Sequence, residues 1–261
     1  MKSSTQKSTG GTVLAIATPI AILATLGVNT LSNTNPPGGV NVGELANTLL
    51  RDVRILPANY AFIIWGVIYV GLIAYGIYQI RPAQTGDTAI VQADALLIVA
   101  CVAQIAWIYL FTFRQFWASV LAMLIILGSL ILAYLRLGIG RDRVGRDRRW
   151  NAHIPFSIYL AWISVATIVN IASALFANNW SGGLAPDLWA LLLLIIGTAI
   201  ALVVFFQRRD IAFLLVFIWA YGAIALRQAA FPLVQLGAIG GAVLLAGLVF
   251  WSLWQPRQRF E

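Results

Sequence analysis

Few residues in this chain of 261 could carry out familiar chemistry. It holds one histidine, His153, and one cysteine, Cys101, so neither a zinc site of ordinary spacing nor an intrachain disulfide can form. No glycine-rich phosphate loop and no Ser/His/Asp arrangement is present. Hydrolytic or redox catalysis by the usual means is not expected, and the chain reads as a non-enzyme. What recurs instead is a set of aromatic and amide side chains at helical spacing. Phe62, Trp65 and Tyr69 fall three and four apart, Gln104 and Trp107 three apart, and Tyr159 and Trp162 three apart. Asn170 follows Trp162 about two turns on, along a similar face. Side chains at these spacings share one face of a helix. Indole, phenol and amide groups hold and orient rather than catalyse. At mid-span depth they either bond helices to one another or fix a ligand in a largely apolar pocket.

The elements that carry them are membrane helices. The composition is 61% hydrophobic and 10% charged, with a mean hydropathy of +0.86. Apolar runs of about 20 residues, enough to span a bilayer, recur throughout. They lack the alternation of barrel strands, which leaves an all-α polytopic transmembrane bundle. Eight spans are expected, near residues 12–31, 56–80, 91–113, 115–135, 154–176, 186–206, 211–226 and 231–254. A polar tail, 1–11, precedes them and a basic tail, 255–261, follows. In the longest connection, Leu45, Leu49, Val53 and Leu56 predict a short amphipathic helix over Val42–Ile55, on the bilayer surface or capping the bundle.

The net charge of +8 resides in the connections, which points to topology and to attraction for anionic lipid rather than to nucleic acid. With eight spans, thirteen of the 17 basic residues share a side with both termini, six of them between Arg136 and Arg149. Arg51, Arg54, Arg114 and Arg227 lie opposite. That bias places both termini in the cytoplasm of a multi-pass protein, most simply at the plasma membrane. Asp94 is expected near the interface and hydrated, and Arg227 at the outer surface. The Gly237-x-x-Gly240-Gly241 pattern of the last span offers a homodimer contact.

Three of the spans resemble a known family. Pro57, Phe62, Trp65 and Tyr69 look like the second-helix signature of the tryptophan-rich sensory protein / translocator protein (TspO/MBR) family. Gln104, Trp107 and Phe111 are similar to its third-helix Asn-x-x-Trp pattern, with Gln in place of Asn. Pro155, Tyr159, Leu160, Trp162, Ala166, Thr167 and Asn170 resemble the fifth-helix pattern, the most specific of the three. The resemblance implies a five-helix core over residues 12–177, with three additional helices over 178–254. It implies a pocket between helices for a tetrapyrrole such as porphyrin or haem, or for a sterol-like molecule, with no resident cofactor required. By that likeness, Trp65 and Trp162 are the indole donors toward the ligand. Tyr69, Trp107 and Phe111 are pocket walls, and Asn170 is a polar fixer or a helix contact. Gln104 and Tyr159 complete the set. Three other readings stand beside it: an eight-span secondary transporter, a tetrapyrrole-modifying enzyme, and a membrane assembly partner without a ligand.

Overall fold

A computed structural model describes residues 9–254, and the expected C-terminal tail and most of the N-terminal one lie outside them. The described residues are helical, without strands. Eight long helices run up and down: α1 (Thr9–Thr34), α3 (Ile64–Gln79), α4 (Thr88–Thr112), α5 (Phe116–Arg136), α6 (Arg146–Ala177), α7 (Pro186–Arg208), α8 (Ile211–Arg227) and α9 (Pro232–Trp254). A short helix, α2 (Val42–Asn47), lies in the loop before α3, which ends in a 3-10 turn, Asn59–Ile63. Seven of the long helices have the length and apolarity to cross a membrane, α3 when taken together with the 3-10 turn that leads into it. The remaining one, α8, has 17 residues, or roughly 25 Å at ~1.5 Å per residue, a little short of the ~30 Å hydrocarbon layer. Its Phe213, Phe217, Ala220 and Ile224 are buried against neighbours, so protein rather than lipid surrounds much of it.

Sequence-based boundaries move in ways the caps explain. Helix α4 starts at Thr88 because the Asp87 carboxylate accepts the Ala89 and Ile90 N–H groups. The expected helix over Val42–Ile55 stops at Asn47, where the Thr48 hydroxyl turns back to donate to Glu44 O at 2.7 Å. Leu45, Val53 and Leu56 are buried as the apolar spacing implied, but Leu49 is 46% exposed. Successive turns, not a helix, fold this segment over the bundle. Helix α6 begins eight residues before the expected Ile154, through a π-turn in which Ile154 N–H reaches back to Arg149 O. A wider turn suits Pro155, which has no N–H to give.

Two regions pack into one body. Helices α1, α3, α4, α5 and α6 surround a common apolar core, and α9 packs on both α7 and α8. The last three helices meet the first five chiefly where α8 lies on α6. Both ends of that seam are fastened. At the Arg-rich end, Asp210 accepts from Tyr134 at 2.9 Å and from Ser157 at 2.5 Å, while Arg208 donates to Ile139 O at 3.3 Å. Gly140 has a φ of +77°, and a Cβ there would overlap Arg208 O. Gly140→Ala is expected to lower stability by at least about 1.5 kcal/mol, from the left-handed backbone alone. Gly128, with open space around it, serves as the control. Denaturation of the detergent-solubilised protein reads the difference.

At the opposite end, the Arg227 guanidinium donates to Ala46 O at 2.7 Å, Asn47 Oδ1 at 2.8 Å and Pro57 O at 3.4 Å. Gln228 Nε2 donates to Leu56 O and Trp219 Nε1 to Ala61 O. Arg54 lies over the Phe231 ring, 3.6 Å from its centroid, and pairs with Asp187 at 3.3 Å. The last three helices therefore hold down the loop that leads into α3.

The surface expected to join two copies is used within the chain. A Cβ at Gly237 would meet Leu191 at 2.8 Å, and one at Gly241 would meet Tyr221 at 2.6 Å. Both glycines let α9 approach α7 and α8, and of the three only Gly240 faces open space.

Ion pairs tie the Arg-rich connections together. Arg148 pairs with Asp87 at 2.6 Å, and Arg81 with Asp147 at 2.8 Å. Burial alone would raise the Asp87 carboxyl, but the Arg148 hydrogen bond, the Ile90 and Ala89 N–H groups and the Arg148 charge outweigh it. The group is held below its ordinary range.

Candidate ligand-binding site

The eight residues singled out from the sequence gather in the core as two adjoining clusters. In the first, α3 contributes Trp65 and Tyr69, α4 contributes Gln104, and α6 contributes Tyr159 and Trp162. Trp65 stacks on Tyr69 at 5.7 Å between centroids, with a 28° interplanar angle. It meets Tyr159 and Trp162 edge-on at 6.1 and 6.4 Å. Phe62 closes the group against Trp162 at 6.2 Å. Each edge-to-face contact sets a positive ring edge against a negative ring face. The expected stripe is real, and its partners lie on the expected helices.

One amide organises this cluster. Gln104 is buried, donates from Nε2 to the Tyr69 oxygen at 3.3 Å, and accepts the Tyr159 O–H at Oε1. An amide can donate and accept at once, so it links the two buried phenols. Gln104→Leu would leave both phenol oxygens without this partner. Hydrogen bonds between membrane helices average about 0.6 kcal/mol, whereas an abandoned buried group costs about 1–3 kcal/mol. Loss of about 1.5 kcal/mol is expected for Gln104→Leu, and about 0.6 kcal/mol for Tyr69→Phe, in unfolding by a denaturing detergent. Equal losses would show that Gln104 is not the shared link.

In the second cluster, Trp107 Nε1 donates to Asn170 Oδ1 at 2.6 Å, and Asn170 Nδ2 donates to Ser119 Oγ at 3.0 Å. The Ser119 hydroxyl itself donates to Phe116 O at 2.7 Å. Phe111 sits between Trp107 and Phe116, at 5.2 and 5.3 Å. Asn170 is thus a helix contact joining α4, α5 and α6. Ser119 and Phe116 were missed because α5 shows no polar residue at the periodicity that marked the other helices.

The two indoles of the first cluster differ from that of the second. Trp107 has its acceptor, whereas neither Trp65 nor Trp162 makes a hydrogen bond through its N–H among the described residues. Those two donors remain available. A separate cavity of about 100 Å³ opens between the Asp52–Ile55 turn, the end of α6 and the start of α7. Its walls are mainly apolar, with Phe176, Trp180 and Trp189 among them. It lies apart from the eight residues, none of which lines it.

This fold and this seam define a polytopic helical membrane protein whose aromatic and amide residues converge between α3, α4 and α6. The chain belongs to the TSPO-like protein family, whose model matches residues 15–251. The matched interval takes in the last three helices as well as the first five. No curated protein and no solved structure matches the chain in the corresponding comparisons.

Proposed function

We propose that this TSPO-like protein is a receptor or carrier for a large planar apolar ligand, a tetrapyrrole such as porphyrin or haem, or a sterol-like molecule of similar size. The observation that supports it is the Trp65–Tyr69–Tyr159–Trp162 cluster, held by Gln104 and carrying two uncommitted indole donors. Apolar burial would supply most of the affinity, and the indoles would set orientation. The reading is of binding rather than catalysis, and it calls for no resident cofactor. The proposed route of entry passes Phe62, which packs edge-on against Trp162 at the end of the loop before α3. Both termini are read as cytoplasmic, with the Arg-rich connections facing anionic lipid on the same side.

Titration of the purified full-length protein with protoporphyrin IX tests the proposal through quenching of tryptophan fluorescence. Saturable quenching at one ligand per chain is expected. Quenching that rises linearly, without saturation, would end the tetrapyrrole reading.

A further inference from the structure

Asp94 was expected to be hydrated near the interface, and it is not. It lies in the second turn of α4, 2% exposed, between α1 and α3. Tyr75 of α3 donates its O–H to Asp94 Oδ1 at 2.7 Å, and Thr18 of α1 lies beside the carboxyl. None of the ion pairs among the described residues includes Asp94. Arg148, the cation nearest Tyr75, is already bound to Asp87 at 2.6 Å. Tyr78, the other ionisable group on this part of α3, donates to Gln84. The turn that opens α6 also packs on α3, and its His153 has Arg148, Asp142 and Asp210 as its charged neighbours.

Asp210 supplies the contrast. It is also buried, but it accepts two hydroxyls and the Phe213 N–H, with Arg208 close by. Asp94 has the Tyr75 and Thr18 hydroxyls beside it and no counter-charge. A bare carboxylate in such a place inside a membrane costs several kcal/mol, and a neutral acid does not.

The surrounding hydrogen bonds leave room for the missing proton. Pro19 of α1 has no N–H, which frees the Ala15 carbonyl four residues earlier. Gln79 Nε2 donates to that carbonyl at 2.8 Å and to Gly76 O at 3.2 Å. Gln79 Oε1 and Thr18 Oγ1 are left fully buried without partners. The Thr18 hydroxyl can accept a hydrogen bond from a protonated Asp94 as readily as donate one to its carboxylate, so the junction accommodates the proton.

We propose that Asp94 is a proton-binding site within the membrane domain, reached from the turn at residues 80–87. Loading adds one proton to Asp94 Oδ2, which donates to the Thr18 oxygen. Unloading returns the proton to water and leaves a carboxylate facing only the Tyr75 and Thr18 hydroxyls, with no cation. Rising pH therefore weakens the α1–α3–α4 junction.

Infrared spectroscopy of the full-length protein in lipid nanodiscs tests this without any porphyrin, so its result is independent of the tetrapyrrole reading. A carboxylic-acid carbonyl band is expected at neutral pH and lost in Asp94→Asn. Tyr75→Phe, which keeps the carboxyl and removes its donor, should shift the same band to higher frequency. It serves where Asp94→Asn does not fold. A neutral-pH band as strong in Asp94→Asn as in the wild type would overturn the proposal. So would a band that Tyr75→Phe leaves unmoved.

Discussion

Replacing Trp65 and Trp162 together with phenylalanine is expected to weaken protoporphyrin IX binding about 30-fold. Phenylalanine keeps a ring in each position, so the contacts with Tyr69, Tyr159 and Phe62 largely survive. What disappears is an N–H with no partner inside the protein. One hydrogen bond is worth about 1 kcal/mol, and two make about 2 kcal/mol, at about 1.4 kcal/mol per tenfold in affinity. Trp107→Phe is the control, because its N–H is bound to Asn170 at 2.6 Å. That variant should lose stability while its affinity stays within about twofold. Affinity unchanged in the double variant would remove Trp65 and Trp162 from the ligand site.

Arg227→Ala is expected to speed amide exchange across residues 46–58 about 30-fold, with little change in α4 and α5. The guanidinium satisfies two backbone carbonyls and the Asn47 side chain, at 2.7 to 3.4 Å. Hydrogen bonds to a charged donor are worth about 1.5–3 kcal/mol. Partial exposure of Arg227 argues for the lower part of that range, about 2 kcal/mol. Gln228 and Trp219 still hold Leu56 and Ala61, so the loop should loosen rather than detach. Hydrogen exchange read by mass spectrometry makes the comparison. Unchanged exchange would mean that the turns within the loop hold it unaided.

The helices were legible because each is a long apolar run with a punctuated end, as Pro186 at the start of α7 shows. The first cluster was legible because indole, phenol and amide groups at three- and four-residue spacing select one face per helix. Helical periodicity says which residues share a face but not which faces meet. It could not say that Gln104 reaches two phenols while Asn170 takes Trp107. Asp94 was misjudged on depth: position along a helix hints at distance from the interface, but burial depends on the neighbours. The grip of α8 on the early loop left no local trace, since its partners lie far away in sequence.

That distance bears on how the protein is made. Arg227 and its partner Asn47 are separated by 180 residues. The loop before α3 leaves the ribosome well before the helix that fastens it. Until α8 is in place, Ala46, Asn47, Leu56, Pro57 and Ala61 lack the partners it supplies. The fastening of this loop is thus ordered by synthesis: its contacts with α8 form only once the chain has been read through to that helix.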